Sequence, residues 1–173
     1  MFLDAASAED QPKHIVDVLI DERAVHLRQR RYFWPLLKSL CKGVLGYARA
    51  LEMVDATQGM SGLEIMDYMS KLLHLSVSVR GSEHIPRSGP ALVTPNHPAG
   101  IADGIAVYDA LKDIRNDMCF VANRDAIRAS AGLADIIIPV EWRVQERNTQ
   151  KTRETVRAIN QAFKEERLVV IFP

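Results

Sequence analysis

Cysteine is scarce in this chain of 173 residues, which contains only Cys41 and Cys119. The two cysteines are far apart in the sequence and lack the spacing that zinc ligands require. Such sparse and unpatterned cysteine usage is typical of proteins of the reducing cytosol.

A surplus of one charge and a long apolar run are also missing. The 22 Lys and Arg residues balance the 22 Asp and Glu residues, so wholesale nucleic-acid binding is not expected. No stretch approaches the roughly 18–20 uncharged apolar residues of a membrane span. Residues 1–10 are acidic and lack the basic and apolar regions of a signal peptide. We therefore expect a cytoplasmic protein that does not cross a membrane.

The pattern of apolar residues after residue 74 predicts an α/β fold. An apolar fraction of 47% with 25% charged residues is ordinary for a globular domain. Short apolar runs alternate with helical patterns, which indicates a mostly parallel sheet covered by helices. The predicted strands are 75–80, 91–95, 118–122, 136–140 and 168–172, and the predicted helices are 104–113, 124–131 and 149–165.

The N-terminal part is predicted to be helical and to form a separate region, 1–62, before an α/β core, 63–173. Helical patterns occupy 12–29, 34–53 and the segment up to Leu73. Residues 23–51 contain seven basic residues and no acidic one, together with Trp34. A basic amphipathic helix with an interfacial tryptophan favours docking on an anionic membrane surface. The alternative is a helix that packs its apolar face on the core.

The most informative segment is the loop after the predicted strand 91–95. It contains His97 and Asp103, and a helical pattern follows at once. Histidine can take and return a proton near neutral pH, and a carboxylate on its second ring nitrogen would fix the tautomer. The loop has no obvious nucleophile beside this pair, so we expect the reacting hydroxyl to belong to the substrate.

In this loop, NHPAGIADG (residues 96–104), the chain resembles the glycerolipid and lysophospholipid acyltransferases. Their hallmark is Asn-His, four residues and Asp, and a subset has the longer form NHPxGxxDG. The similarity extends to VRGSEHIP (79–86), to IPVEWR (138–143), and to VVIFP (169–173), which is similar to the opening of the family's Phe-Pro-Glu-Gly motif. Because that motif stops at Pro173, we expect the chain to be the N-terminal part of a longer polypeptide, with an incomplete core.

The resemblance implies an O-acyltransferase that moves a fatty acyl group to the hydroxyl of a lysophospholipid or similar glycerolipid. The co-substrate would be acyl-CoA or an acyl carrier protein thioester, with no bound cofactor or metal. His97 would be the general base and Asp103 its orienting partner. Asn96 and the backbone from Gly100 to Gly104 would hold the loop or stabilise an oxyanion. Alternatively, the Asn96 side chain would form a hydrogen bond with the backbone of its own turn.

The spacing of the motif leaves two assignments open. Five residues separate His97 from Asp103, against four in the common form, so Gly100 is expected to absorb the extra residue. Otherwise Asp109 would be the partner. The resemblance also implies that an arginine after strand 136–140 binds the acceptor's phosphate. Arg143 is the first candidate, with Arg147 and Lys151 as rivals, while Arg124 and Arg128 are expected to have surface roles.

Two other functions compete with acyl transfer. A metal-dependent phosphohydrolase would need several ligands beyond the loop. A non-catalytic lipid-binding protein would keep the fold without a working site. Acyl transfer predicts a His97–Asp103 separation of about 2.6–3.2 Å and a groove leading from the pair. The expected partners are a lyso-lipid acceptor and the anionic surface at the inner face of the membrane. The acceptor could also be a phosphate-free lyso-lipid such as an acylated amino acid.

Overall fold

The computed structural model describes residues 13–24 and 46–173. The described residues of the first unit, Met1–Ala56, include the helices α1 (Ile15–Arg23) and α2 (Tyr47–Ala56). The Tyr47 hydroxyl donates a 2.7 Å hydrogen bond to Asp17 and so joins them. Most of the basic segment 23–51 lies outside the described residues, so the amphipathic helix stays a prediction. No helix in the described ranges is both long and apolar enough to cross a membrane.

The second unit, Thr57–Pro173, contains the sheet and the remaining helices. Its strands are β1 (Ala91–Val93), β2 (Met118–Asn123), β3 (Ile137–Val140) and β4 (Leu168–Ile171). Its α-helices are α3 (Gly62–Leu73), α4 (Ile101–Leu111), α5 (Asp125–Ala129) and α6 (Thr149–Lys164). Short 3-10 helices occupy Ser82–His84, Ala131–Asp135 and Val144–Glu146.

The four strands form one parallel sheet in the order β1-β4-β2-β3, which confirms the predicted α/β fold. Its last strand in sequence is therefore central, and residues 168–170 of β4 are fully buried. All four strands end at the same side of the sheet, which we call the carboxyl edge. Loops that follow parallel strands meet there, and this places the predicted site residues at one edge of the sheet.

The predicted strand 75–80 is wrong. This segment has no strand structure, and Leu75, Val77 and Val79 are exposed. Alternating apolar residues suit a strand, but they stabilise one only when a neighbour pairs with it. Among the described residues, the sheet has no strand beside this segment, and β1 starts only at Ala91.

Two apolar clusters on opposite faces of the sheet hold the helices. The side chains of β2 and β4 alternate between these faces, as the period of a strand requires. Helices α3 and α4 cover one face with Met66, Ile105, Tyr108 and Leu111, which pack on Met118, Phe120, Leu168 and Val170. Helix α6 covers the other face with Ala162, which packs on Cys119, Ile138 and Val169. Asn148 caps the start of α6, since its side chain accepts a 2.8 Å bond from the Lys151 amide.

A buried arginine, which the sequence analysis did not single out, joins the turns at the opposite edge of the sheet. Arg115 is only 4% exposed. Its guanidinium donates to the carbonyls of Gly89 (2.6 Å) and Glu166 (2.7 Å), which precede β1 and β4, and to Asp117, which precedes β2. The ion pair lowers the pKa of the Asp117 carboxyl. Arg115 therefore aligns the starts of three neighbouring strands.

Candidate active site

The loop between β1 and α4 makes its turn at Gly100. This residue has φ 64° and ψ −126°, which side chains of L residues rarely allow. Helix α4 begins at the next residue, so Asp103 lies in its first turn. The unusual backbone conformation expected at Gly100 is present, and the role of Gly100 in accommodating the longer motif stays a prediction.

Asp103 holds both the loop and the histidine. Its Oδ2 accepts a 2.8 Å hydrogen bond from the Ala99 amide and lies 3.3 Å from Nδ1 of His97. The His97–Asp103 distance is slightly longer than the predicted range. The side chains of His97 and Asp103 are 30% and 20% exposed. Asp109 does not take this role, because its carboxylate accepts 2.7 Å bonds from Ser70 and Lys112.

The imidazole of His97 has an aromatic neighbour that the sequence analysis missed. The Phe172 ring stacks on it with a centroid distance of 4.3 Å and an interplanar angle of 30°. Phe172 follows β4, which pairs directly with β1. Only the strand order brings Phe172 to the loop, and no local pattern in the sequence reveals that order. Among the described residues, none hydrogen-bonds Nε2 of His97.

The other predicted residues of the loop are near His97 but make fewer contacts. Asn96 is exposed, and its side chain makes no hydrogen bond to the described part of the chain, its own turn included. Gly104 lies inside α4, and a Cβ built on it would have no atom within 4 Å. Ile101, the first residue of α4, is 73% exposed, which is unusual for a large apolar side chain.

The basic candidates gather around a buried carboxylate, Glu141, just after β3. Its side chain is 4% exposed. It accepts bonds from Arg143 Nε (3.1 Å), the Arg143 amide (3.0 Å) and Lys151 Nζ (3.2 Å), while Arg147 Nε donates to the Glu141 carbonyl (3.1 Å). The bond from Arg143 is the main reason that the pKa of Glu141 is lowered to about 2. We call these four residues the Glu141 cluster.

His97 and the Glu141 cluster lie at the same edge of the sheet but at its two ends. The strands β4 and β2 separate β1 from β3. With a strand spacing of roughly 4.8 Å, the two groups are about 14 Å apart across the sheet. Arg124 follows β2 and is therefore nearer to His97. Its Nε is buried with no hydrogen-bond partner in the described chain, and its Nη2 lies 4.0 Å from Glu154.

Two cavities in the described residues have linings that do not include His97. One of about 520 Å³ lies at the start of the strands and is lined by Arg87, Lys112, Arg115 and Glu166 among others. The other, of about 220 Å³, lies between β3 and α6 and includes Cys119, Ile138 and Ala162. The groove predicted at the His97–Asp103 pair is not one of these two. Within residues 13–24 and 46–173, no three potential metal ligands come together.

Replacing Gly100 by alanine should strain the loop. Because no atom lies within 4 Å of the added Cβ, the cost comes from the backbone at φ 64° alone. We expect a loss of about 1–3 kcal/mol in the free energy of unfolding. Gly104→Ala is the matched control in α4, where alanine should raise the free energy of unfolding by about 0.5–1 kcal/mol. Urea denaturation distinguishes the two, and equal effects would contradict the assigned turn.

Replacing Glu141 by glutamine should destabilise the fold by about 1–3 kcal/mol at neutral pH, because the side chains of Arg143 and Lys151 lose a charged acceptor. The folded pKa of about 2 lies below the ordinary 4.5, so this contribution is complete above about pH 4.5 and is lost as the pH falls towards 2. Urea denaturation of both proteins at several pH values measures the difference.

The control for Glu141 is Glu146→Gln. Glu146 also pairs with Lys151, at 3.1 Å, but its side chain is largely exposed. We expect its loss to change stability by less than about 0.5 kcal/mol. A stability difference between wild type and Glu141→Gln that grows, rather than shrinks, below about pH 4.5 would contradict the assigned pKa of Glu141.

Comparison with known proteins identifies the family. The acyltransferase family matches residues 76–173, which is more than half of the chain. The chain is similar to a lyso-glycine lipid O-acyltransferase of Bacteroides thetaiotaomicron, with 20% identity over 165 residues. The match covers 95% of this chain and 58% of that protein, so the chain spans less than two thirds of the relative's length. No solved structure matches the chain. The chain belongs to the acyltransferase family.

Proposed function

We propose that the protein is an O-acyltransferase that moves a fatty acyl group from a thioester carrier to the hydroxyl of a lyso-lipid. The observation that carries this proposal is the 3.3 Å approach of Asp103 to Nδ1 of His97. The opposite ring nitrogen is left for a substrate. The chain belongs to the acyltransferase family, and acyl transfer requires only a base and a hydroxyl group that the acceptor supplies.

The proposed reaction begins when Nε2 of His97 takes the proton of the acceptor hydroxyl. The hydroxyl oxygen attacks the thioester carbonyl, and the resulting tetrahedral intermediate collapses with loss of the thiolate. The imidazolium then returns its proton to that thiolate. Asp103 favours the tautomer with hydrogen on Nδ1 and stabilises the imidazolium. General-base assistance of this kind contributes about 10²–10⁴-fold in rate.

Donors for the developing oxyanion would come from the start of α4 and from Asn96. Helix α4 has 11 residues, and its N-terminal turn follows Gly100 directly. Backbone N–H groups at a helix N-terminus favour negative charge. The exposed Asn96 amide is adjacent to His97 in sequence and has no competing bond in the described chain.

The acceptor is proposed to carry an anionic headgroup. Arg124 and the Glu141 cluster place cationic side chains along the carboxyl edge, away from the His97 end. Guanidinium groups bind phosphate and carboxylate in the same planar, bidentate manner. The relative's name specifies a lyso-glycine lipid, and an amino-acid lyso-lipid offers a carboxylate where a lysophospholipid offers a phosphate. Both acceptors are therefore candidates. The thioester carrier is acyl-CoA or acyl carrier protein.

Catalysis is proposed to take place on an anionic membrane surface, at the inner face of the membrane. Ile101 is 73% exposed beside the catalytic loop, and Trp142 is 52% exposed after β3, so both ends of the carboxyl edge present apolar side chains. The basic residues of segment 23–51 add charge that suits anionic lipids, at about 1 kcal/mol for each residue near the surface.

One observation favours a second candidate, a non-catalytic lipid-binding protein of the same fold. Neither of the two cavities described above has His97 in its lining. The two candidates differ in whether thiol is released from an acyl thioester.

Replacement of His97 by alanine should reduce acceptor-dependent thiol release by about 10²-fold or more, because the base is lost. Asp103→Asn should cause a loss of similar size, because the asparagine no longer favours the His97 tautomer with hydrogen on Nδ1. The assay uses the protein at its natural length, long-chain acyl-CoA or acyl carrier protein thioester, and lysophosphatidate or an N-acylated glycine lyso-lipid.

The matched control is His84→Ala, which removes an exposed histidine from the turn before β1. It should leave the rate unchanged. Turnover that survives His97→Ala in a folded protein would overturn the mechanism. Absence of thiol release with every donor and acceptor, together with retained lipid binding, would establish the second candidate.

Binding to vesicles should require anionic lipid. We expect the protein to sediment with phosphatidylglycerol-containing vesicles and to remain in solution with pure phosphatidylcholine, with weaker binding at high salt. Arg30→Gln with Arg31→Gln should weaken the binding. Arg153→Gln with Arg157→Gln, which removes the same charge from the exposed side of α6, should not. Equal binding to both vesicle types would contradict the membrane proposal.

A further inference from the structure

We propose that Phe172 is a positioning residue for the reaction, holding the His97 imidazole in the orientation in which Nδ1 meets Asp103 and Nε2 faces the acceptor. This inference rests on the proposed function of His97 as the base. Phe172 does not touch the reacting atoms in this proposal, and it acts only through the histidine ring. The observation is the ring stack, with centroids 4.3 Å apart and an interplanar angle of 30°.

The fold brings Phe172 to this place through the pairing of β1 with β4. Val93, the last residue of β1, is in register with Val170. Continuing the register by two residues places Phe172 level with Pro95, at the start of the catalytic loop. Phe172 is half-buried and packs against the apolar cluster of α3 and α4. The Phe172 side chain therefore contacts both the apolar core and the His97 imidazole.

A second contact is needed because Asp103 alone does not fix the imidazole. The Asp103 oxygen lies 3.3 Å from one ring nitrogen, and this single contact leaves the ring free to turn about the line joining the two atoms. The side chain is 30% exposed and on a loop, so the covalent framework gives little further restraint. A flat ring packed against the imidazole face restricts that rotation. The two contacts together define where Nε2 points.

The aromatic ring also favours the charged form that appears during the reaction. The imidazole becomes an imidazolium when it takes the acceptor proton. The face of a benzene ring is electron-rich and attracts a cation, which corresponds to about two- to five-fold in rate if the contact is stronger in the transition state. An aliphatic side chain of similar volume keeps the packing but gives no such attraction and a less planar support.

The experiment compares Phe172→Leu, Phe172→Tyr and a matched control, Phe163→Leu. Phe163 is a half-buried phenylalanine of α6 that packs on the other apolar cluster, away from the loop. We expect Phe172→Leu to lower kcat about 10-fold with little change in KM, because a misdirected base slows the chemical step rather than binding. Phe172→Tyr should restore kcat to within about two-fold of wild type, since it keeps the ring. Phe163→Leu should leave kcat unchanged.

A second readout does not depend on activity. The imidazole ¹⁵N spectrum identifies the protonated nitrogen of each histidine, and the His97 signals are assigned by their loss in His97→Ala. We expect one tautomer, with hydrogen on Nδ1, in the wild type and in Phe172→Tyr. Phe172→Leu should show a mixture of tautomers, and Phe163→Leu should not.

The outcomes separate this inference from the proposed function. If His97→Ala abolishes turnover while Phe172→Leu changes neither kcat nor the His97 tautomer, Phe172 has no positioning role and the base assignment stands. If Phe172→Leu and Phe163→Leu lower kcat equally, the effect is general destabilisation and the inference is wrong. If turnover survives His97→Ala, the proposed function fails, and the ¹⁵N spectrum still decides whether Phe172 orients the ring.

Discussion

The sheet depends on the insertion of β4 between β1 and β2. Residues 168–170 are completely buried, and burial of such side chains stabilises by roughly 1.5–3 kcal/mol each. Strand β1 has only three residues, and β4 is the one strand in the described chain that pairs with it. The loop with His97 is therefore held in place by β4, a strand that follows it much later in the sequence. The same strand brings Phe172 to the imidazole.

Two carboxylates organise the two ends of the carboxyl edge in different ways. Asp103 is shared between a backbone amide and the imidazole, so one of its oxygens contacts both the loop and the His97 ring. Glu141 is nearly buried and is surrounded by basic donors that keep its pKa near 2. It therefore remains charged and fixes Arg143 and Lys151 after β3. One end of the edge is suited to proton transfer, and the other to an anionic group.

The sequence alone predicted much of this arrangement, for local reasons. The alternation of apolar runs with helical patterns indicated the α/β fold, and the loop motif indicated His97, Asp103 and the special conformation of Gly100. Features that depend on strand order were not predictable in the same way. The stack of Phe172 on His97 requires β4 to lie beside β1, and the wrong strand at 75–80 had the apolar alternation but no partner. Arg115 gave no signal, because its importance comes from burial among turns that are distant in sequence. Glu141 has its partners close in sequence, but its burial depends on the packing after β3 and has no local pattern.

In the proposed reaction, His97 activates the acceptor hydroxyl directly, and no acylated form of the protein occurs. Intact-mass measurement after mixing the protein with an acyl thioester labelled in its acyl chain tests this claim. If His97 acts directly, we expect no mass increase without acceptor, and transfer of the label to the acceptor hydroxyl only when donor, acceptor and His97 are all present. A covalently acylated protein that forms without acceptor and then passes its label to the acceptor would contradict it.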